Sequence, residues 1–348
     1  MRKEIRLLTK EDFNLYKSMQ TGLKEDYMLN LFPGLTDSGS RLFGLFINDQ
    51  LVSTAGYTVF AHHHVMLGRL RSDHRFRGQN YGTELLKYVM DQALALPNIE
   101  FVGANTQSSN HPAQKVLKKI NMAHLATLYE GQTQDLTALI LSQDSSHESL
   151  TWTQVEDSGR KREWIKRTYL NEDFPESIFP FEAYYPFPVS ESLFKDEVFD
   201  SWKFYENEDQ TRYFILWEED KGNHYLHITY PWSDFMKQSG FWKTIDSQLS
   251  ITRKKEPNTL IWIDLSEEKI KTLPETHPFN LSYSWMLYGI FNTSDNPEEA
   301  PDSLTTDLSQ AYKSLEFLEK ELKELEDDLN NKIVKTENLK QSLDELNQ

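Results

Sequence analysis

Arg75-Phe76-Arg77-Gly78-Gln79-Asn80-Tyr81-Gly82-Thr83 lies between a run that alternates as a strand, Val65 to Ser72, and a run with helical spacing, Thr83 to Ala95. Gly78 and Gly82 can take backbone angles barred to other residues and leave consecutive N–H groups uncovered. A helix starting near Thr83 would turn the positive end of its dipole into the loop. Residues 69 to 87 hold five basic side chains against two acidic ones, a local reversal of sign in an acidic chain. The loop therefore suits a diphosphate. It suits a plain tight turn as well, because a glycine pair between strand and helix serves both.

Working outward, Lys3 to Leu8 reads as a strand, with Thr9 as the N-cap of a helix carrying Phe13, Tyr16 and Met19. Leu42 to Ile47 and Leu51 to Phe60 flank Asn48-Asp49-Gln50 as a hairpin. After the loop, Leu85, Leu86, Val89, Met90 and Ala93 share one helical face, and Ile99 to Ala104 reads as a buried strand. Asn110-His111-Pro112 opens a further helix. Two last strands are expected at Ala123 to Glu130 and Leu136 to Leu141, which completes an α/β unit.

The remainder of the 348 residues differs in character. Residues 1–150 carry fifteen charges of each sign, whereas 151–303 carry 16 basic and 28 acidic residues and all eight Trp. That change predicts domains at 1–145 and 150–300, with a boundary near Gln143 to Ser149. Phe174 to Pro188, with six aromatics among four prolines, reads as packed loop. Beyond it, Tyr213 to Trp217 and Tyr225 to Tyr230 flank a turn at Asp220-Lys221-Gly222-Asn223, a helix is expected over Phe235 to Ile251, and Leu260 to Leu265 reads as a strand. The order hairpin, helix, strand repeats that of the first segment and predicts a diverged second copy. From Leu304 to Leu346 eleven of thirteen seam positions are apolar at alternating spacings of four and three, so 304–348 reads as a coiled coil that pairs with itself or with another protein.

The net charge of −17, without a basic stripe, argues against nucleic acid. Cys is absent, which removes thiolate chemistry and Cys-ligated zinc. No 18 apolar residues run together and the first residues, MRKEIRLLTKEDF, are charged, so no membrane contact and a cytoplasmic location are expected. In His62-His63-His64, adjacent strand side chains point to opposite faces and no carboxylate is near in sequence, so exposed imidazoles on a turn are expected and no metal. Arg253-Lys254-Lys255 suits the C-terminal dipole of the helix before it.

The loop resembles that of the GNAT superfamily of N-acetyltransferases, Arg/Gln-x-x-Gly-x-Gly/Ala: Arg75 and Gly78 match, and Asn80 stands at the last position. The later family motif is matched by Asn110, Ala113 and Lys118-Lys119, and the resemblance covers roughly residues 1–142. It implies a mixed α/β sheet flanked by helices and acetyl-CoA as cosubstrate. Leu70, Arg71 and Ser72 would hold the thioester and pantetheine, Arg75, Arg77, Gly78, Gln79, Asn80, Tyr81, Gly82 and Thr83 the pyrophosphate, and Asn110 the pantetheine end. A primary amine of a small molecule would be the acceptor. The sequence departs from the family where chemistry is expected: Leu117 stands where an acidic Tyr is usual, Asn121-Met122 replaces Gly-Phe, and no Glu lies in the strand before the loop. Asp73 and His74 remain as proton relays, Asn105 as a water-positioning group and Arg71 as a grip for a substrate carboxylate. Two other readings are open: a non-catalytic acyl-CoA-binding scaffold, and an enzyme like the peptidoglycan aminoacyl transferases.

Overall fold

The computed structural model describes residues 2–35, 40–143 and 152–292. The heptad seam from Leu304 and most of the expected boundary segment lie outside these residues. Residues 1–292 form one compact unit.

In the first part of the chain, strands β1 (Lys3–Leu7), β2 (Arg41–Ile47), β3 (Gln50–Phe60) and β4 (His64–Ser72) are antiparallel neighbours. Asn48 and Asp49, both at positive φ, close the β2–β3 hairpin as the sequence predicts. Helices α1 (Phe13–Lys17) and α2 (Met28–Leu35) cover one face, with Tyr16, Met28 and Phe32 buried. Thr9 N–H donates to the Asp12 carboxylate at 2.9 Å ahead of α1. Helix α3 (Tyr81–Leu94) covers the opposite face with the apolar stripe read from the sequence, and β5 (Phe101–Gln107) pairs parallel to β4. Helix α4 (His111–Lys119) follows, capped by Asn110, and then β6 (Ala123–Thr133).

The expected strand Leu136 to Leu141 is instead a helix, α5 (Thr137–Ser142). Asp135 accepts from Thr137 N–H at 2.8 Å, and Leu136 and Leu139, three apart, are both buried. A short apolar run cannot by itself distinguish the two periods.

The second part runs through β7 (Thr153–Val155), α6 (Ser158–Arg167), β8 (Ile178–Glu182), β9 (Tyr185–Pro188), α7 (Asp196–Ser201), β10 (Lys203–Glu206), β11 (Tyr213–Asp220), β12 (His224–Thr229), α8 (Phe241–Thr252), β13 (Leu260–Leu265), α9 (Glu267–Ile270) and β14 (Ser284–Phe291). The expected helix at Phe235 begins only at Phe241, because Gly240 turns the chain with φ +73°. The proline-rich stretch is a hairpin, β8–β9, packed by its own aromatics and not a loop.

Twelve of the described strands form one sheet, in the order β1-β2-β3-β4-β5-β14-β6-β13-β12-β11-β10-β7. β14, the last described strand, lies between β5 and β6 and is antiparallel to both. β6 in turn lies between β14 and β13. Matching β1 to β6 with β7 and β10 to β14 makes the order read the same from either end. Among the described residues, no helix is long and apolar enough to cross a membrane.

Candidate active site

Strands β4 and β5 pair from His64–Phe101 to Leu67–Ala104 and no further, although β4 runs on to Ser72 and β5 to Gln107. The wedge between them is a cavity of about 920 Å³. A bulge helps to open it: the β3–β4 register shifts near Thr54 and Gly56, and Arg69 sits at φ +59°. Leu70, Arg71, Ser72, Arg77, Gly78, Asn80, Tyr81, Gly82, Thr83, Asn105 and Asn110, all singled out from the sequence, line this cavity.

At one end lies the glycine loop. Gly78 (φ +83°) and Asn80 (φ +65°) carry the left-handed backbone, and α3 begins at Tyr81, two residues earlier than expected. Gly82 is needed for a different reason from the one its spacing suggests: a Cβ there would stand 2.9 Å from Ser72 Oγ, so glycine lets the helix close on β4. The first N–H groups of α3 have no acceptor within the helix. Lys119 Nζ reaches Asn80 Oδ1 at 3.2 Å, and Arg77 donates to the Thr21 carbonyl at 3.0 Å, so two cations border the helix start. Arg75 is turned away. Its Nε donates to Asp73 Oδ1 at 2.9 Å and its Nη2 to Asp73 Oδ2. Gln79 Oε1 accepts from Tyr81 Oη at 2.9 Å.

The sequence-derived proton relays are occupied in the same way. Asp73 is fully buried and accepts from Arg75, from Gln20 N–H at 3.1 Å and from Arg75 N–H at 3.0 Å. The Arg75 guanidinium holds its carboxyl well below the usual carboxylate range. His74 Nδ1 donates to the Gln20 carbonyl at 2.7 Å, which fixes its tautomer in a structural bond. Arg71 is spent on Asp26 at 3.1 Å, with side chains 15% and 8% exposed, and Tyr16 Oη also donates to Asp26. Asn105 Nδ2 donates to the Tyr184 carbonyl at 2.7 Å, while its buried Oδ1 has no partner among the described residues. Leu117 lines the cavity and is buried in the core beneath α4.

The cavity is also lined by residues that sequence reasoning missed. Tyr27 and Leu23 come from the segment around α2, Arg69 from the bulge, and Trp285 from β14. Trp285 Nε1 donates to Glu130 Oε2 at 2.9 Å, and burial pushes the Glu130 carboxyl up from its ordinary value. No local signal could have found Trp285, which is brought in by a strand paired far from its neighbours in sequence. The His run forms no metal cluster among the described residues. His62 is exposed on the turn as expected, but His64 begins β4 and is buried, with Ser190 Oγ 3.3 Å from its Nε2.

No sequence among the curated proteins matches this chain. Among solved structures, a GCN5-related N-acetyltransferase from Sphaerobacter thermophilus aligns at 13% identity and a TM-score of 0.49, over 83% of this chain and 96% of its own. An acetyltransferase from Thermoplasma acidophilum, described as putative, aligns at 14% identity and 0.45, over 83% of this chain and 99% of its own. The ribosomal-protein-S18-alanine N-acetyltransferase from Escherichia coli aligns at 15% and 0.33, over 36% and 81%. Residues 5–122, which hold the wedge, the glycine loop and α4, match the model of the acetyltransferase (GNAT) family, whose members use acetyl-CoA as cosubstrate.

Proposed function

We propose that the cleft takes acetyl-CoA and passes its acetyl group to a primary amine of a small molecule. The observation that carries this reading is the wedge itself: one end meets a helix start flanked by Arg77 and Lys119, and the other opens into a chamber of aromatic and polar side chains. The residues fit the cosubstrate. Gly78 leaves open space where a Cβ would project, and the cations lie where phosphates would meet the helix dipole. When bound, acetyl-CoA supplies the activated acyl group. Backbone groups of Leu70, Arg71 and Ser72 would align it, with Asn110 beside the pantetheine end. Asn105, which lines the same cavity, would lie beside the incoming amine.

Leu117 cannot donate a proton, so the leaving thiolate departs unassisted. A thiol pKa near about 8.5 makes that a modest handicap, on the order of 10²-fold. Thiol release from acetyl-CoA by the full chain, assayed over a panel of amines, tests the reading and should show slow turnover. Tight acetyl-CoA binding without transfer to any amine would favour a non-catalytic acyl-CoA-binding role, the reading that the locked Asp73 and buried Leu117 would then explain.

The second part of the chain reads as a diverged copy that gives β14 to the first and receives β6 in return. The palindromic strand order, the parallel β12–β13 pair and a left-handed residue just before α8, as before α3, support this. In this copy the connection before α8 is filled by Trp232 and Phe235, which pack on Tyr230, so it serves as a scaffold for the first.

A further inference from the structure

Two arginines face the acceptor chamber from β4, and their situations differ. Arg71 is neutralised by Asp26. Arg69, half-buried two residues earlier, makes bonds only to neutral groups: Nη1 donates to the Tyr57 carbonyl at 3.3 Å, and Nη2 donates to Thr58 Oγ1 at 2.8 Å and to Ser40 Oγ at 3.4 Å. No described carboxylate pairs with it, and no described residue accepts from its Nε. Burial pulls its pKa down from the ordinary value, and of titratable groups only the phenols of Tyr185 and Tyr27 among the described residues oppose this. A guanidinium removed from water without a counter-charge is costly, and three neutral acceptors orient it without neutralising it.

We propose that Arg69 anchors a carboxylate of the acceptor, so that the small molecule acetylated in this cleft is an amino acid or a similar amino-carboxylate. This rests on the reading of the cleft as an acetyl-transfer site. Three features favour it. Arg69 lines the same cavity as Asn105 and the Leu70–Ser72 segment, so an acceptor held by it would lie beside the reacting end of the cosubstrate. A strand rises about 3.3 Å per residue, so Arg69 lies one to three residue steps from the Leu70–Ser72 segment assigned to the thioester, a span suited to a compact zwitterion. With Nη1 and Nη2 held by Tyr57, Thr58 and Ser40, the Nε–H has no acceptor among the described residues and is left for a carboxylate oxygen. Tyr27 and Trp285 wall the chamber and would receive an apolar or aromatic side chain.

The test uses the full chain and measures thiol release with phenylalanine, methionine, glutamate and lysine, each against its α-carboxamide, and with phosphoethanolamine. The carboxamides carry the less basic amine and are the easier acceptors chemically, so a preference for the acids is not a reactivity artefact. Wild type should favour the acids at least about tenfold in kcat/KM, equivalent to about 1.4 kcal/mol. Arg69→Gln should raise KM for the acids by a similar factor, leave the carboxamides unchanged and erase the preference, while Arg69→Lys should retain part of it. Equal use of acids and amides by wild type, or an equal shift of both in Arg69→Gln, would overturn the assignment, and preference for phosphoethanolamine would replace the carboxylate with a phosphate. If Arg69→Gln does not fold, the wild-type comparison decides. If nothing turns over, calorimetry of N-acetylphenylalanine against N-acetylphenylalaninamide on the CoA-loaded chain gives the same comparison. Equal affinities there remove the Arg69 assignment alone. Failure of CoA to bind removes the acetyl-transfer reading and the assignment with it.

Discussion

Asp264 shows how one side chain can couple this fold to pH. It stands opposite Glu130 in the β13–β6 ladder and accepts from Trp262 Nε1 at 3.0 Å. Burial pushes its carboxyl up to about 7, the indole bond opposes that rise, and Glu130 adds to it. A carboxyl near 3.9 in the unfolded chain and near 7 when folded binds its proton more tightly in the native state. Its contribution is therefore fully present below about pH 4 and declines as the pH rises to about 7. Asn keeps an acceptor for Trp262 and cannot ionise. Urea unfolding of wild type and Asp264→Asn at pH 5 and pH 8 should show the variant gaining relative stability at the higher pH, and a difference that does not change with pH would contradict this. The residue scale is also where sequence reading was least complete. Gly78, Asn80 and Asn110 were found because backbone conformation and capping are local properties. Arg71 and His74 are engaged by Asp26 and the Gln20 carbonyl, partners remote in sequence that no local pattern reveals, while Asp73 is held by Arg75 two residues on, a pairing that only the turn at His74 brings about. Arg69 was passed over because nothing in a strand's sequence announces the absence of a counter-charge.

Among the elements, β14 matters most to the site. It brings Trp285 to the chamber and pairs with β5 from Trp285–Gln107 to Phe291–Phe101. Gly289 allows that pairing, since a Cβ there would overlap the buried Phe101 ring, with Leu125 Cδ1 at 3.1 Å on the other side. Gly289→Ala should cost about 1–3 kcal/mol, the usual range for overpacking a core, and chemical denaturation would measure it. A variant as stable as wild type would mean that the β5–β14 contact is looser than the structure requires. Strands β2 to β4 and helix α3 were legible because their periods, turn residues and lengths agree. The α5 segment was misread because six apolar-rich residues fit either period, and α2 was missed because its apolar face lacks a clear start signal. The place of β14 was beyond any local pattern.

For the whole molecule, the insertion of β14 between β5 and β6, with β6 paired in turn to β13, makes the two parts of the unit interdependent. Residues 1–143 alone would lack the strand between β5 and β6 and would expose both edges. This fragment should fail to give a cooperative thermal transition or dispersed NMR resonances, whereas residues 1–292 should give both. A fragment 1–143 that folds and binds acetyl-CoA would show that β14 is not required between β5 and β6.

If the wedge between β4 and β5 is the acetyl-CoA site, its backbone groups should respond directly to the cosubstrate. Amide hydrogen exchange of the full chain, with and without saturating acetyl-CoA, reads the backbone groups that would hold the cosubstrate. Protection is expected to rise over residues 70–83 and around Asn105 to Leu117, with little change across β7 to β13. Protection absent from 70–83, or confined to the second part of the chain, would contradict it.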